Sequence, residues 1–346
     1  MGGQAPGKVR MANSRLGIET KAITEGAVMA ALTAMLALAG IFIPILDPVV
    51  MLVWTLPVVV VCMRHGMRAG AATITVAGFV IMTLSSPMIA ANMLIRSVGP
   101  AMLIGCGFHY RWRTEKTVLL AALATFLGLL LDYAISVFVM GISIREMFAI
   151  EPETVDEMIR IFSEYGLLES FQITAEEMAE YILSTFSLML LMLPAILLVY
   201  SLVTAITNYL TANLLLRKLR IPLPPVTKLS TIRMPIGVVF GFLLGFGLMV
   251  LGNMFWPDIE LIVTIGQNIT VVFLTLYIVQ GLGLIFYFIG KTPQSMQGFL
   301  KFSLFLVVIM TAFNFLAIIG YIGVADALLD FRRFGGKADQ TTDSSG

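Results

Sequence analysis

The sequence predicts an all-α fold, a polytopic transmembrane helix bundle of about 8 to 9 spans. Two compositional facts and one pattern carry that prediction. Of 346 residues, 58% are hydrophobic and only 12% are charged, whereas soluble domains carry about a quarter charged residues. Mean hydropathy is +0.94. About nine stretches approach or exceed the roughly 20 apolar residues that a helix needs to cross the hydrocarbon core.

Those stretches lie near 22–43, 48–63, 69–86, 88–110, 117–141, 181–213, 235–255, 261–289 and 302–325. The second and third are short. The connections between them alternate in charge. "RHGMR" (64–68), "RWRTEK" (111–116), "RKLRIPLPPVTKLSTIR" (217–233) and "GKTPQSMQGFLK" (290–301) hold nearly all the loop cations, while "PILDP", "SSP" and "WPDIE" hold acids or nothing. The positive-inside rule then puts the basic loops and the N-terminus in the cytoplasm of a bacterial cell, with the chain in the inner membrane. Nine spans leave the tail "DALLDFRRF", with Arg332 and Arg333, on the opposite side. The same rule disfavours that placement, so the count near 300–334 stays open.

This pattern divides the chain into a polar N-terminal tail (1–20), a bundle (21–216), a basic loop (217–234), further transmembrane helices (235–326) and a polar tail (327–346). Within the bundle, 142–180 is an extramembrane insert. It carries ten acids from Glu146 to Glu180 against Arg145 and Arg160, a net charge of −8. "PETVDEMIRIFSEYG" sets Val155, Met158, Ile159, Phe162 and Tyr165 on one helical face, starting at Pro152 and ending at Gly166. "TAEE" has capping-box form, with Thr174 and Glu177 three apart. Two short amphipathic helices follow, as a solvated connector or as a lid.

Lys and Arg total 22 against 21 Asp and Glu, which leaves no basic surface for nucleic acid once the loops are served. The expected partners are the lipid bilayer, other membrane proteins and a small solute. Cys62 and Cys106 lie in apolar runs with no metal spacing or disulfide framework. No serine elbow, carboxylate pair or HExxH motif is present, so no enzyme activity, no metal and no cofactor are expected. The first 20 residues have no apolar core and do not read as a cleaved signal peptide.

Two charges interrupt the apolar runs: Arg96 in "NMLIRSVGP" and Asp132 in "LLLDYAIS". A charge near the bilayer centre costs at least ~2.5 kcal/mol and marks a functional position. The two lie on consecutive antiparallel spans, each roughly 12 to 14 Å below the end away from the basic loops. They are expected to pair, with Asn92 and Tyr133 beside them, as a helix-register device or as a solute-binding site. Glu25 is expected to pair with Lys21 four residues earlier, and Asp326 and Asp330 with the arginines that follow them. In the first span, Ala27, Ala30, Ala31 and Ala34 recur at helical spacing, which suits close packing inside the bundle or docking of another membrane protein. Gly281 and Gly283 in "QGLGLIFYF" suit close helix approach.

The motifs "ITEGAVMAAL", "LPVVVVCMRHGMRAG", "LLMLPAILLVYSLV", "RKLRIPLPPVTKLSTIRMP", "QGLGLIFYF" and "GVADALLDFRRF", in that order, resemble the YybS-like family of bacterial membrane proteins, a family of unknown function. The first six spans more distantly resemble the S components of energy-coupling-factor vitamin transporters. That resemblance implies an outward-facing solute pocket, which the depth of Arg96 and Asp132 would suit. It also implies docking of a membrane coupling subunit and its ATPase through the alanines of the first span. The acidic insert and about three later spans depart from that pattern.

Overall fold

The structure, a computed structural model, describes residues 6–141 and 150–333. Arg145 and Glu146 of the acidic region, and the tail from Phe334 onward with Lys337, lie outside the described residues. Every regular element among the described residues is helical. Among these residues seven helices are long and apolar enough to cross a membrane, and shorter apolar helical stretches cover 49–65 and 316–329. The fold is that of a polytopic membrane helix bundle.

The chain forms two compact units. One comprises Met1–Ile142 and Tyr200–Val226, the other Ser143–Val199 and Thr227–Gly346. Residues 150–199, expected within the N-terminal bundle, group with the C-terminal helices.

The first unit contains α1 (Pro6–Phe42), α2 (Asp47–Val53), α3 (Leu56–His65), α4 (Met67–Leu84), α5 (Pro87–His109), α6 (Thr114–Met140) and most of α10 (Leu193–Lys218). The expected second span is two short helices, because Pro57 at the start of α3 has no N–H to continue α2. Small residues set the packing. Ala30, Ala34 and Ala37 of α1 bury against a core that includes Ile74, Ala77 and Ile81 of α4. A Cβ on Gly128 of α6 would lie 2.6 Å from the Ile95 carbonyl oxygen of α5, so only glycine allows that crossing.

One end of this unit gathers the basic segments. Glu25 at the start of the α1 span accepts from Arg64 and lies 2.8 Å from His65 Nε2 at the end of α3. His109 Nδ1 at the end of α5 is 2.7 Å from the Met63 carbonyl, and the Thr114 and Tyr209 hydroxyls meet at 3.2 Å. Glu25 therefore pairs across helices and not with Lys21 as expected: the α1–α3 contact brings Arg64 and His65 to it, which sequence spacing does not show.

The second unit begins with α7 (Pro152–Glu164), α8 (Leu167–Phe171) and α9 (Ala175–Leu191). The capping box forms as read: Glu177 N–H donates to Thr174 Oγ1 at 3.2 Å, and Thr174 N–H to Glu177 Oε2 at 2.7 Å. Val155 buries with Met178 and Ile182, and Met158, Ile159 and Phe162 flank them. Tyr165, assigned to the same face, closes the helix and is exposed.

The sixth span was expected at 181–213. Instead α9 ends at Leu191 and α10 runs Leu193–Lys218. Pro194 cannot continue α9, and Asn268 satisfies the break from a distance. Its Oδ1 accepts from Ala195 N–H at 3.0 Å, and its Nδ2 donates to the Leu191 and Thr264 carbonyls at 3.0 and 2.9 Å.

The unit continues with α11 (Gly237–Phe255), α12 (Glu260–Lys291) and α13 (Gln294–Leu329). Gly245 faces Ile269 and Thr270, and Gly252 faces Ile262, so α11 and α12 run antiparallel with backbones close. Gly281 of α12 meets Ile319 of α13, and Gly323 meets Tyr277.

These contacts place the tail. Arg233 pairs with Asp330 at 3.1 Å, Arg332 donates to the Ser230 carbonyl, and Tyr287 donates to the Arg332 carbonyl at 3.2 Å. The end of α13 thus lies beside loop 228–234, at the same end of α12 as Lys291. A straight α13 would carry Ile319 about 37 Å from Gln294, while Gly281 is only about 15 Å from Lys291 along α12. They touch, so α13 bends and returns to the end it left. A ninth full span, which would part the tail from the basic loop, is overturned by these contacts. Arg332 thus lies beside the basic segment 228–233, the side the charge bias favours for it.

Candidate functional site

Helix α5 opens at Pro87 and carries Asn92 and Arg96 one turn apart on one face. On α6, Asp132 stands one turn after Gly128, whose missing side chain lets the two backbones meet at Ile95 and Arg96. Arg96 Nε donates to Asp132 Oδ2 at 2.8 Å, and Nη2 donates to the same oxygen. The structure thus brings together the two charges singled out in the sequence. Tyr133 lies within electrostatic reach of both and of Tyr200 on α10. Tyr200 was not singled out in the sequence; a tyrosine in an apolar run gives no signal of its own.

The pair is asymmetric. The Asp132 side chain is 2% exposed and that of Arg96 is 46% exposed. Ser136 donates to the Asp132 backbone carbonyl at 3.0 Å. Asp132 Oδ1 and Asn92 Oδ1 are buried and accept no hydrogen bond among the described residues.

The alanine set divides. Ala30 and Ala34 are core residues, which removes them from any docking face, while Ala27 and Ala31 are exposed. Ala27 lines an open groove of about 220 Å³ between α1 and α4, with Gly26, Ala69, Ala72 and Thr73.

A second polar cluster, in the other unit, centres on Gln280, which sequence reading passed over. Its Nε2 donates to Asp326 Oδ2 at 3.0 Å, and its Oε1 accepts from Met234 N–H at 2.8 Å. Arg332 Nε stands 3.3 Å from the same Asp326 oxygen, with the two side chains 3% and 2% exposed. Asp326 pairs with Arg332 as expected, whereas Asp330 pairs with Arg233 and not with Arg333. Cys62 and Cys106 are buried and free. No group of metal-ligating side chains occurs among the described residues.

Fold and charges together define a multi-pass helical membrane protein with ion pairs set inside its bundle. The chain belongs to the family described as predicted membrane protein (DUF2232), whose model matches residues 31–327. It is similar to "Uncharacterized protein YybS" of Bacillus subtilis (strain 168), with 22% identity over 275 residues, covering 79% of this chain and 86% of that protein. No solved structure matches it.

Proposed function

We propose that this chain is an inner-membrane protein, with its N-terminus and basic loops in the cytoplasm, that binds a small solute from outside at Arg96 and Asp132. One observation carries the reading. Among the described residues, Asp326–Arg332 is buried on both sides, whereas Arg96 is half exposed above a buried partner. A half-exposed guanidinium held in place by a buried carboxylate is presented to something. Arg96 faces the solute, Asp132 fixes its position, and Asn92 and Tyr133 border it. Coupling to a membrane subunit and its ATPase would use the exposed Ala27 and Ala31 and the groove beside them.

Native mass spectrometry of the natively expressed protein in mild detergent tests this. A retained small molecule that is lost in Arg96→Ala, with the variant still folded, supports it. Unchanged retention in Arg96→Ala removes the site. Recovery of a coupling subunit and ATPase in the same preparation tests the transport part separately.

The acidic helices favour a second reading, a scaffold that recruits a protein partner. Tyr165, Phe171 and Tyr181 are each about two-thirds or more exposed there, among acids that outnumber the one arginine, Arg160, of these helices. Deleting 152–171 separates the two readings: a lid alters solute exchange, and a partner site alters complex composition.

A further inference from the structure

The Arg96 cluster has polar atoms left over after its internal bonds are made. Asp132 Oδ1 and Asn92 Oδ1 are buried acceptors without donors. Arg96 reaches Asp132 through Nε and Nη2 while its side chain stays 46% exposed, so Nη1 is open to an acceptor. Buried polar groups in native proteins are nearly all satisfied, and each exception has a reason.

The charge balance narrows the reason. Arg96 and Asp132 neutralise each other, and they are the only charged side chains of α5 and α6 away from the loop ends. A simple anion drawn to Nη1 would also meet the unpaired lone pairs of Asp132 Oδ1 and Asn92 Oδ1. A neutral group holding an N–H beside a C=O meets both needs. Asn92 and Arg96 lie one turn apart on one face of α5, so both side chains can address one such edge.

We infer that the solute bears an amide, ureido or lactam edge, whose N–H donates to Asp132 Oδ1 or Asn92 Oδ1 and whose oxygen accepts from Arg96 Nη1. This rests on the solute-binding reading above and gives it a ligand class.

The test uses the full chain in mild detergent and four probes: 2-pyrrolidinone, 2-imidazolidinone, N-methyl-2-pyrrolidinone and butyrate. The first two offer N–H beside C=O, the third lacks the donor, and the fourth is an anion. The first two are expected to raise the thermal unfolding midpoint with concentration, and the last two are not. A shift with butyrate alone overturns the ligand class and leaves a solute site standing. No shift with any probe overturns the class; if native mass spectrometry also finds nothing small retained, the site falls too.

Asn92→Leu sharpens the result. Replacing an unsatisfied buried acceptor with an apolar side chain should raise the midpoint of the empty protein. The same change should weaken 2-imidazolidinone by about fivefold or more, the worth of one hydrogen bond. Undiminished affinity in both Asn92→Leu and Arg96→Ala overturns the inference.

Discussion

Replacing Arg332 with methionine keeps most of the side chain's apolar stem and removes its charge. Asp326 would then keep its bond from Gln280 Nε2 at 3.0 Å but lose the guanidinium 3.3 Å away, in a site where its side chain is 2% exposed. The Ser230 carbonyl would lose its donor as well. Breaking a buried pair from one side costs about 3–5 kcal/mol, because the remaining charge has nowhere to go. Removing both charges, with Asp326→Leu and Arg332→Met together, should recover most of that, since a buried pair replaced by apolar groups is often neutral. Equilibrium unfolding in detergent, read by circular dichroism across the double-mutant cycle, should give a coupling of at least about 2 kcal/mol. A single-mutant loss under about 1 kcal/mol, or additive losses, would refute the claim that this pair holds the tail to loop 228–234.

Three further outcomes follow from the same coordinates. Arg96→Asp and Asp132→Arg should each destabilise by about 2–3 kcal/mol, at the low end because Arg96 is half exposed; the double swap should restore most of it, and a swap no better than the worse single change would rule out direct pairing. Asn268→Leu strips two hydrogen bonds from the α9–α10 break and one within α12 and should cost about 2–3 kcal/mol and raise amide exchange at Ala195; an unchanged exchange rate would show that the break does not depend on Asn268. The Glu177 carboxylate is held below the ordinary range, first by the Thr174 N–H and then by the Thr174 side chain. A depressed carboxyl stabilises the cap fully above its unfolded pKa and loses that contribution as pH falls through the folded value, so exchange protection at 174–178 should drop in acid below about pH 4.5. Glu177→Gln should flatten that dependence while keeping the cap.

What the sequence made legible was charge set against apolar background. Arg96 and Asp132 stand out because nothing near them is charged, and a rise of 1.5 Å per residue converts position into depth. Their pairing could be read without knowing the helix faces. The family resemblance and the membrane architecture were legible for a similar reason, since motif order and long apolar runs survive where individual contacts do not. Gln280 and Asn268 were not legible. Each is one uncharged polar residue in an apolar helix, and the groups they bond outside that helix lie 46 to 77 residues away in sequence. Glu25 failed for the opposite reason: a local partner, Lys21, was available, and the tertiary partners Arg64 and His65 won. Small residues carried the least information, because Ala30 inside the core and Ala27 at the open edge of the α1–α4 groove look the same in sequence.

The placement of the tail shows how a polar cluster can decide what hydropathy cannot. Residues 302–325 are apolar enough to be counted as a span, and counting alone sends Arg332 and Arg333 away from the other basic segments. The backbone contact of Gly281 with Ile319 forbids a straight α13, and the bonds from Arg332, Gln280 and Tyr287 fix where it returns. Glycine at 281 and 323 is what permits that return, since a Cβ at either position would overlap a carbonyl oxygen of the facing helix. Asp326 and Gln280 then supply, inside the unit, the acceptors that a guanidinium drawn in from the membrane edge requires. The sealed pair therefore serves topology, in contrast to Arg96, whose buried partner leaves the guanidinium half exposed.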